Sequence, residues 1–429
     1  MADDAFARDL GSDGTFHGAR GVAGTVSTSA WTLTSDLATG EAPRFAPTPA
    51  APTPAGSWAA FGSNGAGNGV FAPNDAGVTA IAVVGTDLYI GGHFTNVASI
   101  AKADYIAKWD GLAWSAVGDD GAGGPALNLS VNALAVDGTD LYVGGDFSNA
   151  GGIATADSIA KWSGGVWSPL GSDGTGDGAF SINAYVTALA VYKGDVYANA
   201  TSFVTVAAGG SREGLVRFTG GSWTDVGLRN LPAPVLLVSG GLLYAAYVGV
   251  STWDGAKWKS VGPAYMDSTG GEVWALAVSG STVYAGGTFR NVGGDPAADY
   301  VAKWNGGAWV ALGVSGATTP ALNYYVSALA VSGIDVYVGG GFSDVGGNPL
   351  IDGIAHWNGT TWSPLGSGTI GGAAALLVSG SDLLVGGVLN AGGIPEADGI
   401  AAWGMVPTPA PTRKPDGRIR LGTTGALLG

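Results

Sequence analysis

The chain has 429 residues, with 77 glycines, 15 tryptophans, no cysteine and a net charge of −15. Without cysteine there can be no disulfides, thiol catalysis or cysteine-ligated metal. The 18 lysines and arginines, scattered along an acidic chain, exclude a phosphate-tracking nucleic-acid surface. Membrane insertion is not expected, because the longest apolar stretch, residues 373–389, is broken by Ser379-Gly380-Ser381-Asp382.

Residues 1–45 form an N-terminal extension with one strand-like region, Gly24–Thr34, carrying Trp31. Such a strand could add to a neighbouring molecule, which makes self-association through this extension one expectation. Residues 46–56 are a Pro/Thr/Ala linker of the extended, spacer-forming kind. Residues 57–62, Ser-Trp-Ala-Ala-Phe-Gly, then stand as a single isolated strand.

From there to residue 404 a unit recurs: V-x-A-L-A-V-x-G-x-D-L-Y-V-G-G-x-F, a variable stretch, then I-A-K-W-x-G-x-x-W-x-x-L-G. Its tyrosine falls at Tyr89, Tyr142, Tyr197, Tyr244, Tyr284 and Tyr337, with Leu384 in the last copy. Each unit holds four short segments rich in Val, Ile, Leu, Tyr and Trp, punctuated by Gly, Asp, Asn and Ser. The first two segments are joined by short links such as Gly85-Thr86. The last two are joined by pairs such as Asp110-Gly111, Ser163-Gly164 and Asn305-Gly306, which suit tight hairpins. Units of this length and content predict a β-propeller of four-stranded blades.

Tryptophan spacing gives the blade number and the closure. Pairs five residues apart occur at Trp109/Trp114, Trp162/Trp167, Trp253/Trp258, Trp304/Trp309 and Trp357/Trp362, with Phe218/Trp223 as a substituted copy. Trp58 has no upstream partner and Trp403 no downstream one, so together they complete a seventh pair. The fold predicted is all-β: a seven-bladed propeller over residues 57–404, closed 1+3, with strand 57–62 completing the last blade so that no edge is left open. Residues 405–415 are a second Pro/Thr linker, and residues 416–429 read as the opening of a further module or a tail. Linkers of this kind are common in modular exported bacterial proteins, which places the chain outside the cell or on its surface.

The pattern is cleanest at residues 141–171, from Leu-Tyr-Val-Gly-Gly-Asp-Phe through Trp162 and Trp167 to Gly171. It resembles the kelch-like, galactose-oxidase-type propeller repeats, in the Gly-rich form of bacterial exported proteins and fungal cortical cell-polarity markers. The resemblance implies architecture; function is not transferable between propellers. Galactose oxidase's copper chemistry has no counterpart here, since there is no cysteine for its thioether crosslink and the three histidines are scattered.

Tight turns fall on one face of the disc. The long second-to-third and unit-to-unit connections fall on the other, where binding residues are expected. The fourth unit is abbreviated, with only nine residues from Tyr244 to Trp253, so a notch in that rim is expected. Positions entering the innermost strands, Thr79, Asn132, Thr187, Pro234, Trp274, Ser327 and Ala374, line the channel mouth. Thirteen of the tryptophans are repeat anchors, and Trp31 and Trp274 are not. Trp274, with Glu272, Asp267 and Tyr265 before it, is therefore the leading ligand-binding candidate, joined by Tyr185, Tyr324, Tyr325 and Asn132; the alternative is a tryptophan that plugs the channel by packing.

Loops that alternate Asp or Asn with Gly offer the oxygen ligands Ca²⁺ takes, notably Asp119 and Asp120, and Asp173 and Asp177. Solvated turns are the other reading, and no further cofactor is expected. His93 and His356 read as substituted repeat positions. Asp104, Asp157, Asp299, Asp352 and Asp398 recur with the repeat and are read as loop caps. Few titratable side chains and near-symmetric loops point to a non-catalytic binding or adhesion module for a glycan or protein. The alternatives are a polysaccharide hydrolase or lyase using Asp267 and Glu272, and a structural subunit of a surface assembly.

Overall fold

The computed structural model describes residues 31–34, 44–47, 56–62, 69–71, 77–172, 178–180, 184–206, 210–229, 235–263, 265–266, 270–313, 320–366, 371–387, 391–394 and 397–404. Asp173, Asp177, Asp267, Pro234, residues 48–55 of the first linker and the whole of the second lie outside them. In the N-terminal unit, Trp31–Thr34 pairs antiparallel with Arg44–Pro47.

The remaining strands form seven antiparallel sheets of four strands each. Blades 1 to 6 span residues 77–116, 131–169, 186–229, 235–260, 273–311 and 326–363. Blade 7 takes three strands from residues 373–404 and its outermost from Trp58–Ala60, which pairs antiparallel with the strand Gly399–Gly404. The 1+3 closure expected from Trp58 and Trp403 is thus made. Each innermost strand packs against the next, and that of blade 7 against that of blade 1.

The core lies between blades. One apolar cluster, for example, joins Val78, Ile81 and Leu88 of blade 1 to Leu377, Leu384 and Ile400 of blade 7. Tryptophan partners face each other across the third and fourth strands, with ring centroids between 5.1 Å (Trp58–Trp403) and 5.7 Å (Trp304–Trp309) apart. The second indole of each pair also reaches the preceding blade. Trp114 Nε1 donates to the Phe61 carbonyl (2.8 Å), Trp167 to Val117 (2.9 Å), Trp223 to Leu170 (2.8 Å), Trp258 to Val226 (2.8 Å), Trp309 to Val261 (3.2 Å), Trp362 to Leu312 (3.1 Å) and Trp58 to Leu365 (2.9 Å). The acceptor is always three residues past the preceding blade's own tryptophan, so one contact is repeated around the disc.

The Gly-Gly pair of the repeat has two separate steric reasons. A Cβ on Gly144 would overlap the Val186 side chain of the next blade, and one on Gly145 would overlap the Ser130 carbonyl of its own blade. Near that carbonyl lies a β-bulge at Asn132, which recurs at Thr79, Thr187, Trp274, Ser327 and Ala374. A bulge leaves one residue unpaired and re-aims its side chain. Here it aims these residues at the channel mouth. Blade 4 pairs without a bulge.

The hairpins on the tight-turn face are of two kinds. Gly164 and Gly165 adopt φ of 57° and 87°, a two-residue turn. Where Asp or Asn precedes one glycine, the side chain closes the turn instead: Asp110 Oδ1 accepts from the N–H groups of Leu112 and Ala113, both at 2.9 Å. Behind these turns, Lys108 meets Asp87 (3.1 Å) and Lys161 meets Asp140 (3.2 Å). His356 takes the lysine's place in blade 6, with its Nε2 2.7 Å from Asp335 Oδ1 and its ring stacked on Tyr337.

Candidate functional site

On the long-loop face, second-to-third connections share one scaffold. Asn96, Asn149, Asn291 and Asp344 are left-handed, and their N–H groups donate to Asp104 (2.7 Å), Asp157 (2.7 Å), Asp299 (2.7 Å) and Asp352 (2.9 Å). These recurring aspartates cap loops, as their periodicity suggests. In blade 3 the connection is instead a long hairpin, Asp195–Val206 pairing with Gly210–Thr219. This rigid frame leaves the mouth to the residues that differ from blade to blade.

The bulge residues use their polar groups to tie blades together. Thr79 Oγ1 donates to the Val131 carbonyl (2.7 Å), Asn132 Nδ2 to that of Val186 (3.1 Å) and Ser327 Oγ to that of Ala373 (2.8 Å). In blade 5 the position is Trp274, which cannot make this short link and projects into the mouth. Its indole N–H donates to Glu272 Oε2 (2.8 Å), and Tyr247 OH donates to Glu272 Oε1 (2.7 Å). Sharing that proton with the carboxylate holds the Tyr247 phenol above its ordinary pKa. The short blade 4 connection makes this reach possible: Tyr247 follows directly on the strand Leu242–Ala246, and its carbonyl accepts from Val273 N–H. The notch expected there is partly occupied, since buried Met266 donates its N–H to the Val248 carbonyl (2.7 Å).

Trp274 packs on Tyr325 (centroids 5.3 Å apart), which packs on Tyr324 (4.8 Å). Space for the tyrosines comes from Gly341, where a Cβ would lie 2.7 Å from Tyr325 Cε1. Trp274 remains 37% exposed and Tyr324 55%. Beneath Trp274 a void of only about 20 Å³ separates it from Thr79, Ser327 and Ala374. The underside of Trp274 thus lies over the channel entrance, and its outer surface faces solvent.

Thr79 also borders a second, open cavity of about 400 Å³, lined with Asn132, Asp146, Tyr185 and Thr187. That volume lies within the range of small-molecule sites. Asp146 is fixed from two sides, by Asn132 Nδ2 on Oδ1 (2.9 Å) and Ser130 Oγ on Oδ2 (2.7 Å). The mouth thus combines an aromatic ridge over blades 5 and 6 with a polar basin over blades 1 to 3.

Of the residues singled out in sequence, Trp274, Glu272, Tyr324 and Tyr325 are brought together, while Asn132 and Tyr185 line the basin. Tyr265 stands exposed beside buried Met266. Tyr247, Asp146 and Gly341 were not singled out. The shortened fourth unit was the available signal for Tyr247; Asp146 and Gly341 occupy the variable position after the Gly-Gly pair, where no departure marks them. Asp119 and Asp120 hold their own loop: Asp119 Oδ2 meets Lys102 Nζ (2.8 Å), and Asp120 Oδ1 accepts from Ala122 and Gly124 N–H, both at 2.8 Å. The Lys102 contact first, and for Asp120 the backbone donors, hold both carboxyls below their ordinary pKa. Among the described residues no three acids or histidines gather as a metal would need.

No protein-family model and no curated protein matches the chain. Solved structures similar to it include the computationally designed Ika8 protein, at 15% identity over 79% of this chain and 98% of that one, with a TM-score of 0.40. The WD40 β-propeller domain of Doa1 matches at 13% identity over 77% and 92%, TM-score 0.44. The GH74 enzyme of Niastella koreensis matches at 16% identity over 74% of this chain and 51% of its own, TM-score 0.44. All three are distant.

Proposed function

We propose that the chain is a non-catalytic binding module, exported or displayed at the cell surface, that recognises a glycan through the long-loop face. The observation that carries this reading is the exposed Trp274–Tyr325–Tyr324 ridge, held by Glu272 beside a cavity of hydrogen-bonding groups. A pyranose ring presents an apolar face for stacking and a rim of hydroxyls for polar partners, and amphipathic aromatics next to fixed acceptors suit both. The repeats, with their Gly-Gly and tryptophan pairs, are proposed to be of the kelch-like kind. A hydrolase or lyase is less favoured: among the described residues, the carboxyls raised above their ordinary pKa are Asp382 and Asp398, neither of which lines the mouth cavities.

The test is glycan-array binding of the chain and its Trp274→Ala variant. Binding of a defined glycan class, lost at least tenfold in the variant without change in melting temperature, is the expected result. Equal binding by both proteins would sink the assignment of the site.

A further inference from the structure

Several of the described carboxylates are neutralised or used up. Asp87 and Asp140 meet lysines, Asp335 meets His356, and Asp104, Asp299 and Asp352 accept backbone N–H groups. Asp146 differs from these. As with Glu272, both of its oxygens are held by neutral side chains, here Asn132 and nine-tenths-buried Ser130, and it is Asp146 that lines the open basin. Neutral donors orient a carboxylate without cancelling its charge. Around it the balance of hydrogen-bonding groups is lopsided: Asn132 Nδ2 donates to both Asp146 and the Val186 carbonyl, which leaves its Oδ1 as an acceptor. No lysine, arginine or histidine is among the described residues lining the basin.

We propose that Asp146 makes the mouth selective for an amino sugar, its protonated amine seated against the Asp146 carboxylate while a neighbouring ring stacks on the Trp274 ridge. This rests on the glycan reading above and adds to it the sign of the ligand's charge. A fixed, partly solvated carboxylate favours a cationic donor over a neutral one by about ten- to a hundredfold, and it repels uronic, sulfated and phosphorylated sugars. The counterpart positions in other blades include His93, the last residue of its second strand in blade 1, and Thr288, which follows its second strand in blade 5 as Asp146 does in blade 2.

The experiment is calorimetric titration of the whole chain with tetramers of glucosamine, N-acetylglucosamine and a uronic acid. It is run at pH 5.5 and 8.5, at low and high salt, with wild type, Asp146→Asn and His93→Ala. Glucosamine tetramer is expected to bind at least tenfold more tightly than the acetylated one at pH 5.5, with the advantage shrinking at pH 8.5 and at high salt. Asp146→Asn should bring the two to the same affinity, and His93→Ala should leave the pH dependence in place. If Asp146→Asn does not fold, the pH and salt dependence of the wild type still decide. Equal affinity for the amine and its acetylated form would overturn amine selection while leaving glycan binding intact. Tighter uronate binding would overturn it as well. Failure of every sugar here and on the array would remove the glycan reading itself, and a lysine-rich peptide bound in place of glucosamine would reassign the seat to a protein ligand.

Discussion

Asp382 offers a sharp test of the electrostatics of the tight-turn face. It occupies the place of Asp87 and Asp140, but where those blades set a lysine on the third strand, blade 7 has Ala402, opposite Leu384. Among the described residues the carboxyl therefore meets no cation. Its Oδ1 and the hydroxyl of Ser379, its strand-pairing partner, are buried with no hydrogen-bond partner among them. Burial pushes its pKa from 3.8 up to about 6.

The sign follows from linkage. The folded state holds the proton more tightly than the unfolded one, so ionisation costs the fold. That cost is absent below the unfolded pKa, grows between 3.8 and about 6, and is complete above it. A shift of that size corresponds to about 3 kcal/mol at most, and residual contact with water reduces it to about 1–2 kcal/mol. Asp382→Asn should therefore raise the melting temperature at pH 8 by roughly 2 °C and leave it unchanged at pH 3.5. Scanning calorimetry at both pH values is the assay. A shift of equal size at both, or none at pH 8, would show that ionisation of Asp382 does not burden the fold.

Asp140→Asn should behave in the opposite sense. Its hydroxyl partner Ser163 first, then Lys161, hold its pKa down, so the variant should melt lower at pH 8, and the difference should shrink as pH falls below the ordinary carboxylate range. Trp167→Phe removes the indole donor to the Val117 carbonyl and leaves that buried acceptor unmet, a loss of about 1–3 kcal/mol. Trp58→Phe removes the same bond to Leu365 at the closing joint, and its melting shift should match that of Trp167→Phe. Gly144→Ala drives a methyl into Val186 and should cost about 1–3 kcal/mol, read by thermal melting.

Architecture was legible because the same chemistry is required seven times. Trp162 and Trp167 must meet across a hairpin and then reach the blade before, and any blade lacking that pair would lose both contacts. Repetition in sequence therefore reported repetition in space, including the joint made by Trp58 and Trp403. The mouth was only half legible for the converse reason. Trp274 was visible as a tryptophan out of place, but Tyr247 gains its role from a shortened connection that brings it to Glu272. Gly341 matters through the side chain it lacks, and a missing Cβ leaves no pattern to read. Asp146 occupies a variable position of the repeat, and only the contacts with Ser130 and Asn132 distinguish it.

The indole latches have one more consequence. Since the joint between blade 7 and blade 1 is chemically the same as the other joints, no seam is privileged. The order in which the polypeptide visits the blades is then a matter of where translation starts. A gene re-spliced to begin inside blade 4, its old termini joined by a tether, should encode the same disc, mouth included.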